Sequence, residues 1–264
     1  MESIDTKNII LEADLDGKGM QNDESKNKFL KKAKEAVCLI EYNGHSGTGF
    51  FLNIPDKGGN DHLTFLITNC HVYPQNSILT EKFLDITING ISKRIDLEGR
   101  GKWTDQKMDY TCIEIKKEDN IKTGFSLDDN ISKSNCSNKD YSNKSVTLYA
   151  LNKNDYNKLN YSYGIIKESK ESKESKNSDL IHTCNSCPGC SGGCIAIKSN
   201  NRVIGIHYGG DKENNENYAI FIKDVFKDIK IKVEKDIKKV NHYYFYYFII
   251  VSKSLLFLLF YYWK

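Results

Sequence analysis

From Ala36 onward the chain is a succession of short β-type runs broken by turn residues, and this pattern narrows its fold more than any other feature. AVCLIEY, TGFFLNI and LTFLITN come first, separated by NGHSG and by a loop through Asp56 to Asp61. FLDITI, ISKRIDL, YTCIEIK, SVTLYAL, YSYGIIK, LIHTC, CIAIK, RVIGIHY and YAIFI follow. About a dozen short strands with no alternating helices predict an all-β sandwich or a pair of barrels. After the last run, Val225, Ile229, Val233, Ile237 and Val240 recur at helical spacing among lysines and acids. That spacing predicts one amphipathic helix over about 223–240.

The 264 residues suit one large domain or two packed halves. Residues 1–35 read as a polar arm, with ordered structure expected to begin near Lys28. The folded unit is expected over 36–240. Within it, KESKESKESKNS is low in complexity and highly charged, which predicts a disordered insert over about 167–179 between two strands. Residues 241–264 form a hydrophobic tail, and Tyr243 to Trp263 has the length and the aromatic ends of one bilayer crossing. Lys253 sits at its centre at a cost of about 2.5–3.5 kcal/mol on insertion scales. Lysines from Lys223 to Lys239 precede the stretch, so the positive-inside rule predicts a tail anchor with the folded unit in the cytosol. The alternative is a sticky terminal helix or an unstructured aromatic tail.

A net charge of +3, with lysines alternating with acids and no basic patch interleaved with aromatics, argues against nucleic acid as a partner. Met1 to Gly19 lacks the charged and apolar regions of a secretory signal, which predicts a reducing compartment. The eight cysteines are therefore expected as free thiols or metal ligands rather than as a disulfide framework.

Four of them surround Cys187-Pro188-Gly189-Cys190-Ser191-Gly192-Gly193, which supports two chemistries. Glycines at 189, 192 and 193 permit a bend that exposes Ser191 and aims the amides of Gly189 and Ser191 at one spot, as acyl transfer requires. Cys184, Cys187, Cys190 and Cys194 also follow the Cys-x2-Cys-x2-Cys-x3-Cys spacing of iron-sulfur ligands. Cluster ligation commonly carries a proline after the last cysteine, whereas Ile195 follows Cys194 and opens an apparent strand.

Two further segments lie upstream in chain order: Gly47-Thr48-Gly49-Phe50-Phe51-Leu52 with Ile67-Thr68-Asn69-Cys70-His71-Val72, and Met108-Asp109-Tyr110-Thr111-Cys112-Ile113-Glu114-Ile115. A serine hydroxyl is a poor nucleophile unless a neutral imidazole takes its proton and an acid fixes that imidazole's tautomer. His71, Asp109 and Ser191 supply those three groups. Taken together the segments resemble the chymotrypsin-like (trypsin-like) serine peptidases over about Ala36 to Ile231. The resemblance implies an all-β fold of two packed six-stranded antiparallel β-barrels, one over about 36–120 and one over about 140–223, with a C-terminal amphipathic helix. It further implies an oxyanion hole from the amides of Gly189 and Ser191, a protein or peptide substrate, and no cofactor or metal.

Arg202 to Gly210 and Asn217 to Ile222 are similar to the bacterial glutamyl endopeptidases in particular. That likeness implies that Ser186 and His207 bind the carboxylate of a P1 glutamate, and that Tyr208, Gly209 and Gly210 pair with the substrate backbone. Cys190 departs from the Asn or Asp that the family commonly has before the nucleophile, so activation by a newly cut N-terminus is not expected. A catalytically inactive binding module of the same fold and a Cys-ligated metal protein are the competing expectations. Cys190 as nucleophile would spoil the register of the Gly189 amide. Redox control through Cys187 or Cys190 is the more modest expectation for these thiols.

Overall fold

The computed structural model describes residues 23–55, 62–152, 155–168, 179–211, 213–214 and 216–239. The arm before Asp23, the central part of the lysine-serine insert at 169–178 and the hydrophobic tail 241–264 lie outside these residues. Among the described residues no helix is long and apolar enough to cross a membrane.

The first seven strands are β1 (Val37–Tyr42), β2 (His45–Pro55), β3 (His62–Thr68), β4 (Phe83–Ile88), β5 (Ile91–Asp96), β6 (Lys102–Asp105) and β7 (Tyr110–Ile115). Most of them are apolar on both faces, and the packing explains why. Phe50, Leu52, Phe65, Ile67 and Cys112 point into one core, while Phe51, Leu66, Ile113 and Ile115 point into another on the opposite side. Alternate residues thus serve different cores, and a strand buried on both sides reads as a continuous apolar run. The tight turn between β1 and β2 places Asn43 and Gly44 at positive φ, the Asn-Gly signature of a two-residue hairpin.

The remaining strands are β8 (Phe125–Leu127), β9 (Ser145–Asn152), β10 (Asp155–Ile165), β11 (Asp179–His182), β12 (Cys194–Ile197), β13 (Arg202–Asp211) and β14 (Glu216–Phe221). From β9 to β14 the pairings are antiparallel: β10 with β9, β9 with β12, β12 with β13, β13 with β14 and β14 with β11. An isolated antiparallel bridge between Ile166 and His182 returns the ladder from β11 to the end of β10. Short β8 pairs in parallel with both β2 and β13, so the described strands form one 14-stranded network rather than two separate sets. In the first group β5 pairs only with β4 and β6 only with β7. Neither β6 nor β8 was among the apolar runs read from the sequence, since KWTD and FSL are too short to show a period.

Residues 23–35, expected within the polar arm, and Ala36, expected in the first strand run, form helix α1 (Asp23–Ala36). It docks through Ala33 and Ala36, both fully buried, with Leu30 packed beside them. Two alanines bury little apolar surface in the sequence pattern, yet they let the helix lie close. The ends of the expected insert are ordered as well: Lys167 pairs with Glu216 at 2.9 Å, and Asp179 opens β11. A one-turn helix α2 (Gln75–Thr80) follows β3. Helix α3 (Ile222–Lys239) closes the described chain, burying Ile222, Val225, Phe226 and Ile229. It grips the first strand group through polar contacts: Tyr110 Oη donates to Asp228 Oδ2 at 2.6 Å, and Lys232 Nζ reaches Asp105 at 2.9 Å and Asp228 at 2.7 Å.

Candidate active site

His71 sits in a tight turn that follows β3, where the amides of Val72 and Tyr73 both donate to Asn69 O at 3.2 and 3.1 Å. Val72 and Tyr73 are buried and anchor the turn, leaving the His71 side chain 48% exposed at the surface. Asp109 precedes β7 at φ 60°, a left-handed conformation that a short polar side chain tolerates. That backbone aims its carboxylate at His71 from two sides. The His71 amide donates to Oδ1 at 2.9 Å, and Nδ1 lies 2.7 Å from Oδ2. The second contact fixes Nδ1 as the protonated nitrogen and frees Nε2 to accept a proton. Buried Asn69 donates from Nδ2 to Asp109 O at 3.0 Å, which holds the acid's backbone as well.

Ser191 lies on the turn between β11 and β12, and the first strand group clamps it in place through Thr48. The Thr48 amide donates to Ser191 O at 2.8 Å, and its Oγ1 donates to Gly189 O at 2.8 Å. Leu151 N donates to that same Oγ1 at 2.9 Å, while Thr68 Oγ1 donates to Thr48 O at 2.7 Å. Gly192 is required beside this clamp: it has φ 84°, and a Cβ there would lie 1.9 Å from Thr48 O. Gly192 N and His207 N then donate across to His207 O and Gly193 O, each at 2.8 Å, fixing the far side of the turn. Among the described residues the amides of Gly189 and Ser191 have no acceptor. Among the described residues Ser191 Oγ makes one hydrogen bond, donated to Tyr208 O at 3.3 Å.

Ser191 Oγ reaches the Tyr208 backbone, and the charges of His71 and Asp109 act on His207 and Tyr208 in the same stretch of β13. Burial first, against a hydrogen bond at the Tyr218 backbone and helped by the His71 charge, lowers His207 to about 4. Burial is the main cause that raises Tyr208, with Asp109 among the nearby carboxylates that contribute. At His207–Gly209 the pairing with β14 slips by one residue, and β12 pairs with β13 no further than Ile206. Among the described residues no strand pairs with Tyr208–Gly210 on the side away from β14, and a Cβ on Gly209 would meet no heavy atom within 4 Å.

Ser186 and His207 are each occupied by another residue. Ser186 Oγ donates to Asn217 Oδ1 at 2.6 Å, and Asn217 Nδ2 donates to Cys184 O at 2.8 Å. His207 is buried and its Nδ1 lies 3.2 Å from Nε2 of His182, also buried. Burial, and then the His207 charge, lowers His182 to about 3, and among the described residues His182 Nδ1 has no partner. Sequence reasoning assigned no role to His182, Thr48, Asn69 or Asn217. The inward alternation of Asp179–His182 was the one available signal for His182. As for the four clustered cysteines, no group of three or more His, Cys, Asp or Glu among the described residues is arranged to hold a metal ion.

No protein-family model and no curated protein matches this sequence. Solved structures do match in shape. The Rv3671c protease of M. tuberculosis, in its inactive form, aligns at TM-score 0.52 and 12% identity, covering 78% of this chain and 93% of that one. A serine endoprotease from Yersinia pestis aligns at 0.54 and 15%, covering 78% of this chain and 66% of that one. The HtrA-type protease AlgW, solved with a decapeptide, aligns at 0.53 and 13%, covering 79% and 67%. At such identities the likeness establishes the fold: the mostly β chain shares the chymotrypsin-like architecture of these proteins.

The buried histidines make stability depend on pH in a defined direction. Their folded values, about 3 and about 4, lie below the roughly 6.5 of a free imidazole. As pH falls through that window the unfolded chain binds protons that the folded pair does not, so stability is full above about 6.5 and is lost on acidification. Thermal melts should show the midpoint falling as pH drops from about 7 to about 4, and the fall should be shallower in His182→Gln. Parallel slopes in parent and variant would remove the pair as the cause.

Proposed function

We propose that the chain is a serine endopeptidase that hydrolyses peptide bonds through an acyl-enzyme. The observation that carries this reading is the paired contact of Asp109 with His71, one oxygen on the amide and the other 2.7 Å from Nδ1. That arrangement holds one tautomer and leaves Nε2 as the base. In the proposed reaction Ser191 Oγ leaves Tyr208 O, gives its proton to His71 Nε2 and attacks the scissile carbonyl. His71 then protonates the leaving amine, while Asp109 stabilises the imidazolium. The unpartnered amides of Gly189 and Ser191 receive the oxyanion. A substrate in extended form adds to the open edge at Tyr208–Gly210. In this reading six strands of each group curl into a barrel with the cleft between them; the Ile166–His182 bridge supports the ring of the second, β9 to β14.

The same site favours glutamate at P1 in this proposal. Ser186 would turn from Asn217 toward the substrate carboxylate, and His207 would take up a proton as that charge arrives, backed by His182. A buried neutral imidazole pair gains more from an incoming carboxylate than from an apolar or cationic side chain. A rival reading, an inactive binding module, retains the fold without turnover. The tail Tyr243–Trp263 supports one further element, anchorage to a membrane with the peptidase unit cytosolic.

Three outcomes are expected. A fluorophosphonate probe should label the folded protein at Ser191, Ser191→Ala should abolish labelling, and Asp109→Asn should slow it by about 10³–10⁴-fold. Folded protein that takes no label would leave the binding module. Cleavage of a peptide library should place glutamate at P1, and His207→Ala should erase that preference; cleavage after basic or aromatic residues by the parent would overturn the pocket assignment. The full chain should stay with membranes through an alkaline carbonate wash, and removal of 241–264 should release it. Release of the full chain by the same wash would refute the anchor.

A further inference from the structure

The turn before Ser191 carries chemistry that the hydrolytic reading does not use. Cys190 N donates to Cys187 O at 3.0 Å, with Pro188 second in the turn and Gly189 third at φ 96°. This is the type II pattern, which needs positive φ at its third residue and brings the first and fourth Cα atoms within about 7 Å. A disulfide spans Cα atoms about 4.4–6.8 Å apart, so the turn presents its two cysteines at bonding range. Their sulfurs already touch at 3.1 Å, and the Cys187 amide donates to Cys190 Sγ at 3.3 Å. Cys187 is partly exposed, whereas the other seven cysteines are buried. A pocket of about 230 Å³ between Asn160, Tyr161, Asn185 and Ser186 is lined by both cysteines.

We propose that Cys187 and Cys190 form a reversible redox modification site that takes a low-molecular-weight disulfide of the glutathione class, and that its oxidation slows turnover at Ser191. The Cys187 thiolate attacks one sulfur of the entering disulfide and expels one thiolate. Cys190 loses its proton and attacks Cys187 Sγ, expelling the other. Two protein thiols become one disulfide, and the incoming disulfide is reduced to two thiols that carry away both protons. Burial pushes the Cys190 thiol up to about 12, so partly exposed Cys187 meets the oxidant first. Closing the sulfurs to about 2.05 Å draws in the ends of the turn while Thr48 holds Gly189 O at 2.8 Å. The Gly189 peptide takes up the movement, and its amide leaves the position an oxyanion needs. This effect on turnover rests on the peptidase reading; formation of the bond does not.

The experiment treats the full chain with oxidised glutathione, maps the product by mass spectrometry and times fluorophosphonate labelling. The expected result is a Cys187–Cys190 bond seen as a loss of about 2 Da, with labelling slowed by at least about tenfold and restored by dithiothreitol. Cys190→Ser should stop at a glutathione adduct on Cys187, and labelling of Cys187→Ser should be indifferent to the oxidant. No such bond in the folded protein, a lasting adduct on Cys187 in the parent, or full-rate labelling of the oxidised form would overturn the proposal. If the reduced protein takes no label, the peptidase reading fails, and the mass map alone decides whether the thiols form a redox site.

Discussion

The geometry around Ser191 depends on Thr48. One fully buried residue of the first strand group uses its amide, hydroxyl and carbonyl to hold Ser191, Gly189, Leu151 and Thr68. Each such hydrogen bond contributes only about 0.5–1.5 kcal/mol net, so the set is a small share of the forces that fold the chain. Its effect on position is larger than its effect on stability. The histidine and acid come from one strand group and the serine from the other, and without a fixed contact between the groups their distance would follow every relative movement. Gly192 is a consequence of the same contact, because a side chain at that position would strike the Thr48 carbonyl.

A second tie acts on the acid. Tyr110 follows Asp109 directly, and its hydroxyl reaches Asp228 on α3, while Lys232 one turn further along joins Asp228 to Asp105 and to Thr104 O. Asp109 therefore sits between two restraints: Asn69 on its carbonyl and the helix through its neighbour. The terminal helix is bound to the first strand group by ionic contacts and to the rest of the core by Val225, Phe226 and Ile229. It spans the two groups at a second place, away from Thr48.

How much of this was legible in the sequence follows from what each feature leaves in it. Strands such as Val37–Tyr42 and Tyr110–Ile115 were visible because both of their faces are buried and the residues run apolar without interruption. The order and flanks of His71, Asp109 and Ser191 were visible because glycines and apolar strands must surround them. Helix α1 was missed because it docks through alanines, whose small side chains barely raise the apolar signal above that of a polar arm. Thr48 was missed because a threonine that makes four hydrogen bonds looks like any strand threonine; only the partners, more than a hundred residues away for Leu151, reveal it. His182 was read as a strand residue, and nothing local to it indicates that His207 lies across from it. The hydrogen bond from Ser186 to Asn217 is likewise a contact no spacing could disclose.

The end of the β12–β13 pairing at Ile206 has a consequence for what the proposed enzyme can take as substrate. An open strand edge at Tyr208–Gly210 recognises main chain, and main chain is presented only where a polypeptide is extended and its amides are not already engaged. Helices, paired strands and compact turns offer nothing to it. Selection then occurs first by the conformation of the target and only afterwards by the side chain that enters the pocket. Under the proposed reading, a stably folded neighbour in the same compartment is spared by its own hydrogen bonds, and the moment at which a protein becomes a substrate is set by its local unfolding.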